Sequence, residues 1–255
     1  MNKLYRKTSI LAGALLLMNV AFADDHGASA QSATMAQVNL CYLEDGKTMA
    51  DVDELNADFF SFLDENDLAP LSVILTPVAT GNHPSEPAYD FIEMMFAEHA
   101  KIGQMWDQVL GSKTGQKIMA DWEEMTNCVT RFNHLIHRFR DAEAQSSTDS
   151  RVVEFNRCEV HPEVEGNRMR EIHDDILANR SPDATNLYWG LLIPEIGDSI
   201  GTFRHLVAFP DMAAYTQAVA ARTSAEYRAN YRDYNRRWAQ CDGRSVWQGR
   251  VQNRP

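Results

Sequence analysis

Two segments that we predict to be β-strands each carry one ionisable side chain among large apolar ones. Glu93 shares its strand face with Phe91 and Met95, and His205 occupies the matching position beside Phe203 in a later segment. A carboxylate close to an imidazole can act as a general acid–base pair or hold a polar ligand group. If these faces line one cavity, Glu93 and His205 are the candidate catalytic residues. The alternatives are a buried structural ion pair, or two unrelated polar residues on a half-exposed face.

Three other side chains are candidates for ligand binding because they stand where matching segments of the chain differ. Arg204 precedes His205 in its strand, and its counterpart in the earlier segment is apolar. His134 and Trp247 stand at the same distance after Cys128 and Cys241. A structural role for each of these residues is the alternative.

Metal binding is predicted at one place only, the start of the mature chain. His134 and His137 are three residues apart, so they point to opposite faces of a strand and do not easily share a metal. Cleavage after Ala23 leaves Asp-Asp-His at 24–26, and a histidine third from a free amine can bind Cu(II) or Ni(II) in a square plane. His26 is therefore the candidate metal ligand, and cleavage after Ala30 would remove it. The alternative is a solvated tail.

No cofactor is evident from sequence motifs. The chain contains no nucleophile elbow, phosphate loop, His-Glu-x-x-His motif or dinucleotide fingerprint. Haem and copper remain open, because neither requires one of these motifs.

The first 23 residues are typical of an export signal. A basic start, an apolar run too short to span a bilayer and the small-x-small sequence at 21–23 predict cleavage there. We therefore expect a periplasmic or secreted protein with no transmembrane segment in the mature chain. The formal net charge of −12 argues against nucleic-acid binding.

The same landmarks occur twice in the same order. Cys41 precedes Pro77 by 36 residues, and Cys158 precedes Pro194 by 36 residues. In each half the periodicity of apolar residues predicts the element order β-α-β-β-α-β, which is the ferredoxin-like unit. A Gly/Pro-rich loop around 80–87 is present in the first half only.

These landmarks divide the chain into segments. We expect a signal peptide at 1–23, a disordered mature amino terminus at 24–35, a first repeat at 36–140, a linker at 141–150 and a second repeat at 151–255.

The four cysteines of an exported chain predict two disulfides, for which three pairings exist. In a ferredoxin-like sheet the strand order is 4-1-3-2, so the end of the first strand faces the start of the fourth. This order selects Cys41–Cys128 and Cys158–Cys241, one disulfide per repeat.

Two tandem units of this kind resemble the dimeric α+β barrel superfamily, fused into an internal pseudo-dimer. The motif Cys-x-x-x-Asp-Gly-Lys-x-Met-Ala-Asp at 41–51, Leu-Thr-Pro at 75–77 and the cysteine after the second helix also resemble a group of exported proteobacterial proteins. The resemblance implies an α+β fold in which two ferredoxin-like repeats pack sheet to sheet as a barrel, and a monomeric protein. The superfamily includes cofactor-free monooxygenases, haem-binding enzymes and cyclases, so it leaves the activity open.

Three functional hypotheses follow from the sequence. The first is a periplasmic protein that binds a small molecule or a protein partner. The second is a monooxygenase-like barrel enzyme that acts on an apolar or aromatic small molecule, with Glu93 and His205 near the chemistry. The third is copper handling through the amino-terminal Asp-Asp-His.

Overall fold

The computed structural model describes residues 34–80, 89–199 and 201–254. The predicted signal peptide, His26 and nearly all of the inserted loop at 80–87 lie outside these ranges. The described part of the first half contains β1 (Thr34–Leu43), α1 (Met49–Asp64), β2 (Leu71–Ala79), β3 (Phe91–Glu98), α2 (His99–Gly111), α3 (Lys113–Met125) and β4 (Thr126–Arg140). It is followed by α4 (Ala142–Ser146), β5 (Ser150–Val160), α5 (Gly166–Ala178), β6 (Tyr188–Ile196), β7 (Thr202–Phe209), α6 (Met212–Ala221), α7 (Ala225–Arg237) and β8 (Ala239–Asn253).

The eight strands form a closed antiparallel barrel. Its order is β1-β3-β2-β8-β5-β7-β6-β4, so each half contributes four adjacent strands in the expected 4-1-3-2 arrangement. The halves meet edge to edge, with β2 paired to β8 and β4 paired to β6. Every edge strand is therefore paired, which removes the exposed edges that an open sheet must protect.

Alternation of side chains along the strands separates an inner and an outer apolar region. The barrel interior holds buried residues of both halves, among them Val38, Ile92, Phe155 and Trp247. The outer faces pack against the helices in two helix-side layers, one for each half, and Ile136 of β4 packs in the layer of the second half. Both faces of a strand are consequently buried, which accounts for the nearly continuous apolar segments in the sequence.

Local signals set the helix boundaries. A capping box begins α1, because the Thr48 amide donates to Asp51 Oδ2 at 2.8 Å while Thr48 Oγ1 accepts from the Asp51 amide. The helical segment between β3 and β4 is interrupted at Ser112, which caps α3. Gly115 is required there, because a Cβ atom would lie 2.3 Å from the Val109 carbonyl oxygen.

Both predicted disulfides are confirmed. Cys41 pairs with Cys128 and Cys158 pairs with Cys241, each between directly opposed residues of neighbouring antiparallel strands. Each link closes more than 80 residues of chain. The chain-entropy model assigns a loop of this length roughly 4 kcal/mol of stabilisation.

Two segments differ from the sequence expectation. Thr34 and Met35, expected to be disordered, begin β1, and the linker at 141–150 contains the short helix α4, whose amino terminus Asp141 caps. The helical segment between β7 and β8 is two helices, because Ser224 accepts from the Tyr227 amide and caps α7. In the described part of the chain, no helix is long and apolar enough to cross a membrane.

Candidate functional site

The outer face of β3 carries the most unusual side chain of the first half. Ile92 and Met94 point into the barrel, so Glu93 points to the opposite side, between the sheet and the helices. Only 2% of Glu93 is exposed. Its neighbours on that face are Phe91 and Met95, both of which pack against apolar side chains of the helices.

Hydrogen bonding to the Glu93 carboxylate is incomplete. Asn39 Nδ2 donates to Oε2 at 3.0 Å, whereas Oε1 has no hydrogen-bond partner among the described residues. Burial, which disfavours the charged form, raises the pKa of Glu93 to about 7. Asn39 and Asn56 oppose this shift. Asn56, on α1, approaches the carboxylate, but neither of its amide atoms reaches hydrogen-bond geometry with a described residue.

A chain of polar groups orients Asn39. Trp106 Nε1 donates to Gln37 Oε1 at 2.8 Å, and Gln37 Nε2 donates to Asn39 Oδ1 at 3.2 Å. Thr130 Oγ1 donates to the same Asn39 oxygen at 2.9 Å. Because Asn39 Oδ1 accepts both bonds, its Nδ2 group must face Glu93. The carboxylate is therefore held in one orientation from one side only.

His205 lies in the helix-side layer of the second half. Trp189 Nε1 donates to His205 Nδ1 at 3.1 Å, and the ring of His173 lies 5.4 Å away between centroids. Displacement of water by these groups lowers the pKa of His205, and His173 and Arg244 lower it further. The pKa of His173 is lowered to about 4, again chiefly by burial. Both imidazoles are therefore neutral at pH 7.

The structure does not bring Glu93 and His205 into one cavity. They occupy matching positions, because Asn39 is opposite Glu93 and Asn156 is opposite His205 in the strand register. However, both point outward into separate helix-side layers. The expected acid–base pair inside the barrel is not formed, because the inner face of β3 is the one that carries Ile92 and Met94.

The cluster around His205 does not fit a metal or haem. His205 and the sulfurs of Cys158 and Cys241 lie within 4.8 Å of one another, but the two sulfurs form a disulfide and offer no thiolate. Tyr234 hydrogen-bonds His173 Nε2 at 3.0 Å. The rings of Trp189, Phe203, His205 and Tyr234 surround His173 at centroid distances of 5.4 to 6.1 Å, which leaves no space for a macrocycle.

The three candidates for ligand binding do not all share a face. Arg204 and Trp247 line a cavity of about 60 Å³ inside the barrel. His134 points outward, where its ring lies 5.4 Å from that of His99. The match between His134 and Trp247 fails because β8 contains a bulge with one extra residue near Gly243, at φ +65°, which moves the following side chains to the opposite face.

Sequence reasoning missed the polar groups around Glu93. Gln37 and Asn39 alternate with apolar residues, a pattern that is typical of a solvent-exposed face. One available signal was the asparagine two residues before the first cysteine of each half, Asn39 and Asn156. Asn56 and Trp106 occur in helical segments, and nothing in the sequence connects them with Glu93.

The fold is shared with several solved structures at low sequence identity. A candidate monooxygenase from Fusobacterium nucleatum aligns over 88% of this chain and 94% of its own, with a TM-score of 0.59 and 10% identity. An anthrone oxidase-like protein aligns over 88% and 95%, with a TM-score of 0.53 and 8% identity. A candidate chlorite dismutase aligns over 86% and 94%, with a TM-score of 0.51 and 14% identity. No protein-family model and no curated protein sequence matches the chain. These likenesses show that the chain shares its α+β barrel fold with the three proteins.

Proposed function

We propose that the protein is a monooxygenase-like enzyme that removes a proton from an apolar or aromatic small molecule, with Glu93 as the general base. The observation that carries this proposal is a buried carboxylate with one oxygen unpartnered among the described residues and a pKa of about 7. A base with a pKa close to the working pH is partly ionised and still accepts a proton strongly. The likeness to a candidate monooxygenase and an anthrone oxidase-like protein favours this class of chemistry over passive binding.

The residues around Glu93 suit an oxygen-bearing aromatic substrate. Asn39 holds Oε2, which leaves Oε1 to accept the proton. The Asn56 amide is available to donate to the substrate oxygen on which negative charge develops. Met95, Met105 and other apolar side chains of the layer would contact the ring system. Because Glu93 is enclosed, substrate entry requires the helices of this layer to separate from the sheet.

The proposed overall reaction balances without an external reductant. A methylene group that is flanked by aromatic rings conjugated with a carbonyl loses a proton to Glu93, and the resulting carbanion is oxidised by O₂. The net change is R₂CH₂ + O₂ → R₂C=O + H₂O, in which one oxygen atom enters the product and the other leaves as water. The substrate supplies all the electrons, and Glu93 returns its proton to the departing water.

The decisive experiment measures O₂ uptake by the full chain with anthrone, an aromatic ketone with an acidic methylene, as the probe. We expect uptake that rises with pH through about 7 and falls at least about a hundredfold in Glu93→Gln. Glu195→Gln is the matched control, because Glu195 is an exposed glutamate distant in sequence from the site. Anthrone binding without O₂ uptake would instead support the binding-protein hypothesis, and equal rates in Glu93→Gln and the wild type would exclude Glu93 as the base.

We also propose that the chain is a duplicated, exported monomer. The two halves, 36–140 and 151–255, share strand order and equivalently placed disulfides, which favours two ferredoxin-like repeats joined by 141–150. Disulfides suit an extracellular or periplasmic location. Intact mass measurement of the protein from the periplasm tests cleavage after Ala23, on which copper binding by His26 depends. A mature chain that begins elsewhere would remove the copper site.

A further inference from the structure

The barrel interior contains a small cavity that is separate from the Glu93 layer. Its volume is about 60 Å³, enough for about two water molecules or a compact ligand. Both halves contribute to it. Its apolar walls include Leu40, Tyr89, Phe155 and Trp247, and its polar lining includes Arg131 and Ser245.

Arg131 lines this cavity and has a buried donor without a hydrogen-bond partner among the described residues. Its Nη1 donates to Asp198 Oδ2 at 3.1 Å, but its buried Nε finds no hydrogen-bond partner among the described residues. Leaving a buried donor of a charged group unpaired is unfavourable, and a ligand acceptor would remove that penalty. A guanidinium also offers parallel donors that match the two oxygens of a carboxylate.

A second donor comes from Ser245. Its Oγ accepts a hydrogen bond from Trp247 Nε1 at 3.0 Å, so its own hydroxyl hydrogen is directed elsewhere. Asn133, a third polar residue of the lining, has Nδ2 only 3.5 Å from the Ala36 carbonyl oxygen, at the limit of hydrogen bonding. The available polar groups are thus mainly donors, which favours an anion over a cation.

Asp198 pairs with arginines of the cavity but is not one of the lining residues, so it does not occupy the place of a ligand. Its Oδ2 accepts from both Arg131 and Arg204, and its Oδ1 accepts from the Ser199 amide at 2.8 Å. Asp198 therefore acts as a fixed tie that holds the two guanidinium groups in place before a ligand arrives. Because the two guanidinium groups are already held in place, less conformational entropy is lost when a ligand binds.

We propose that this cavity binds a small monocarboxylate of about the size of acetate. The carboxylate would accept from Arg131 Nε and the Ser245 hydroxyl, and the short alkyl group would contact Phe155 and Trp247. The volume of about 60 Å³ favours a ligand of a few heavy atoms.

Isothermal titration of the full chain with acetate, at constant ionic strength in chloride, tests this site. We expect saturable one-to-one binding that is weakened about tenfold or more in Arg131→Lys, since lysine keeps the charge near Asp198 but lacks Nε. The matched control is Arg236→Lys, because Arg236 is exposed and pairs only locally with Asp233. We also expect benzoate to bind at least about tenfold more weakly than acetate because of its size.

Three results would overturn the proposal. They are no saturable acetate binding by the wild type, unchanged affinity in Arg131→Lys, and benzoate binding as tight as acetate, which would locate the ligand outside this cavity. If Arg131→Lys does not fold, as judged by circular dichroism, Ser245→Ala decides the question. A several-fold loss of acetate affinity in that variant supports the site, and an unchanged affinity excludes it.

Discussion

Glu93 makes a specific contribution to the pH dependence of stability. In the unfolded chain its pKa returns to about 4.5, whereas burial raises its pKa in the folded protein to about 7. The folded state therefore binds a proton more tightly than the unfolded state between these two values. The contribution of Glu93 to stability is fully present below about pH 4.5 and is lost as pH rises through about 7.

The magnitude follows from the size of this shift. Each pKa unit corresponds to about 1.4 kcal/mol, so moving from about 4.5 to about 7 changes the free energy of unfolding by about 3 kcal/mol in total. Replacement of Glu93 by glutamine removes the ionisation and keeps the side-chain shape. We expect the free energy of unfolding of the variant, relative to that of the wild type, to rise by about 3 kcal/mol between pH 4.5 and pH 8. A pH-independent effect of the amide on stability does not alter this change.

Urea unfolding of both proteins at several pH values between 4.5 and 8, without reductant, measures this difference. Taking the difference between the two proteins cancels the other titrating groups, and Glu195→Gln supplies a comparison at an exposed glutamate. A constant difference between wild type and Glu93→Gln across this range would refute the assignment of a raised pKa to Glu93. A difference that changes in the opposite direction would mean that the carboxylate is stabilised by a partner.

Four other variants test the hydrogen bonds, the ion pairs and one disulfide. Trp106→Phe removes the hydrogen bond to Gln37 and should cost about 1 kcal/mol in urea unfolding. Glu154→Gln breaks the ion pairs of a buried carboxylate with two arginines and should lower the free energy of unfolding by about 3 kcal/mol. Asp53→Asn, at a half-exposed ion pair, should lower it by less than about 1 kcal/mol. Equal losses would contradict this burial argument. Replacing Cys158 and Cys241 by alanine should cost about 2 to 4 kcal/mol and lower the melting temperature, and an unchanged melting temperature would contradict it.

The strand order and the disulfides could be predicted because the sequence contains the pattern that indicates them twice. The same spacing of cysteine and proline occurs twice, and one sheet topology makes both cysteine pairs adjacent. Turn and capping residues such as Thr48 and Asp51 act locally, so their effect needs no knowledge of the rest of the chain.

The orientation of β3 could not be predicted in the same way. Both of its faces are buried, one in the barrel and one under helices, so hydrophobicity does not distinguish them. The position of Trp247 depends on the bulge near Gly243, which a constant residue offset cannot detect. The hydrogen bonds of Glu93 join β1, β3 and α2, whose relative arrangement arises only when the barrel closes.

The two strand pairings between the halves, β2 with β8 and β4 with β6, have a consequence for the association of the halves. Without the other half, each half has two strands that lack a partner along one edge, because β2 bonds to β8 and β4 bonds to β6. The covalent connection at 141–150 keeps the halves at high local concentration, and Asp149 within it is hydrogen-bonded to Val251 of β8. A protease cut within this segment should therefore leave a nicked protein that elutes intact, and the halves produced as separate chains should rebuild the barrel from two pieces. Either half alone would present two open edges and would pair with a copy of itself.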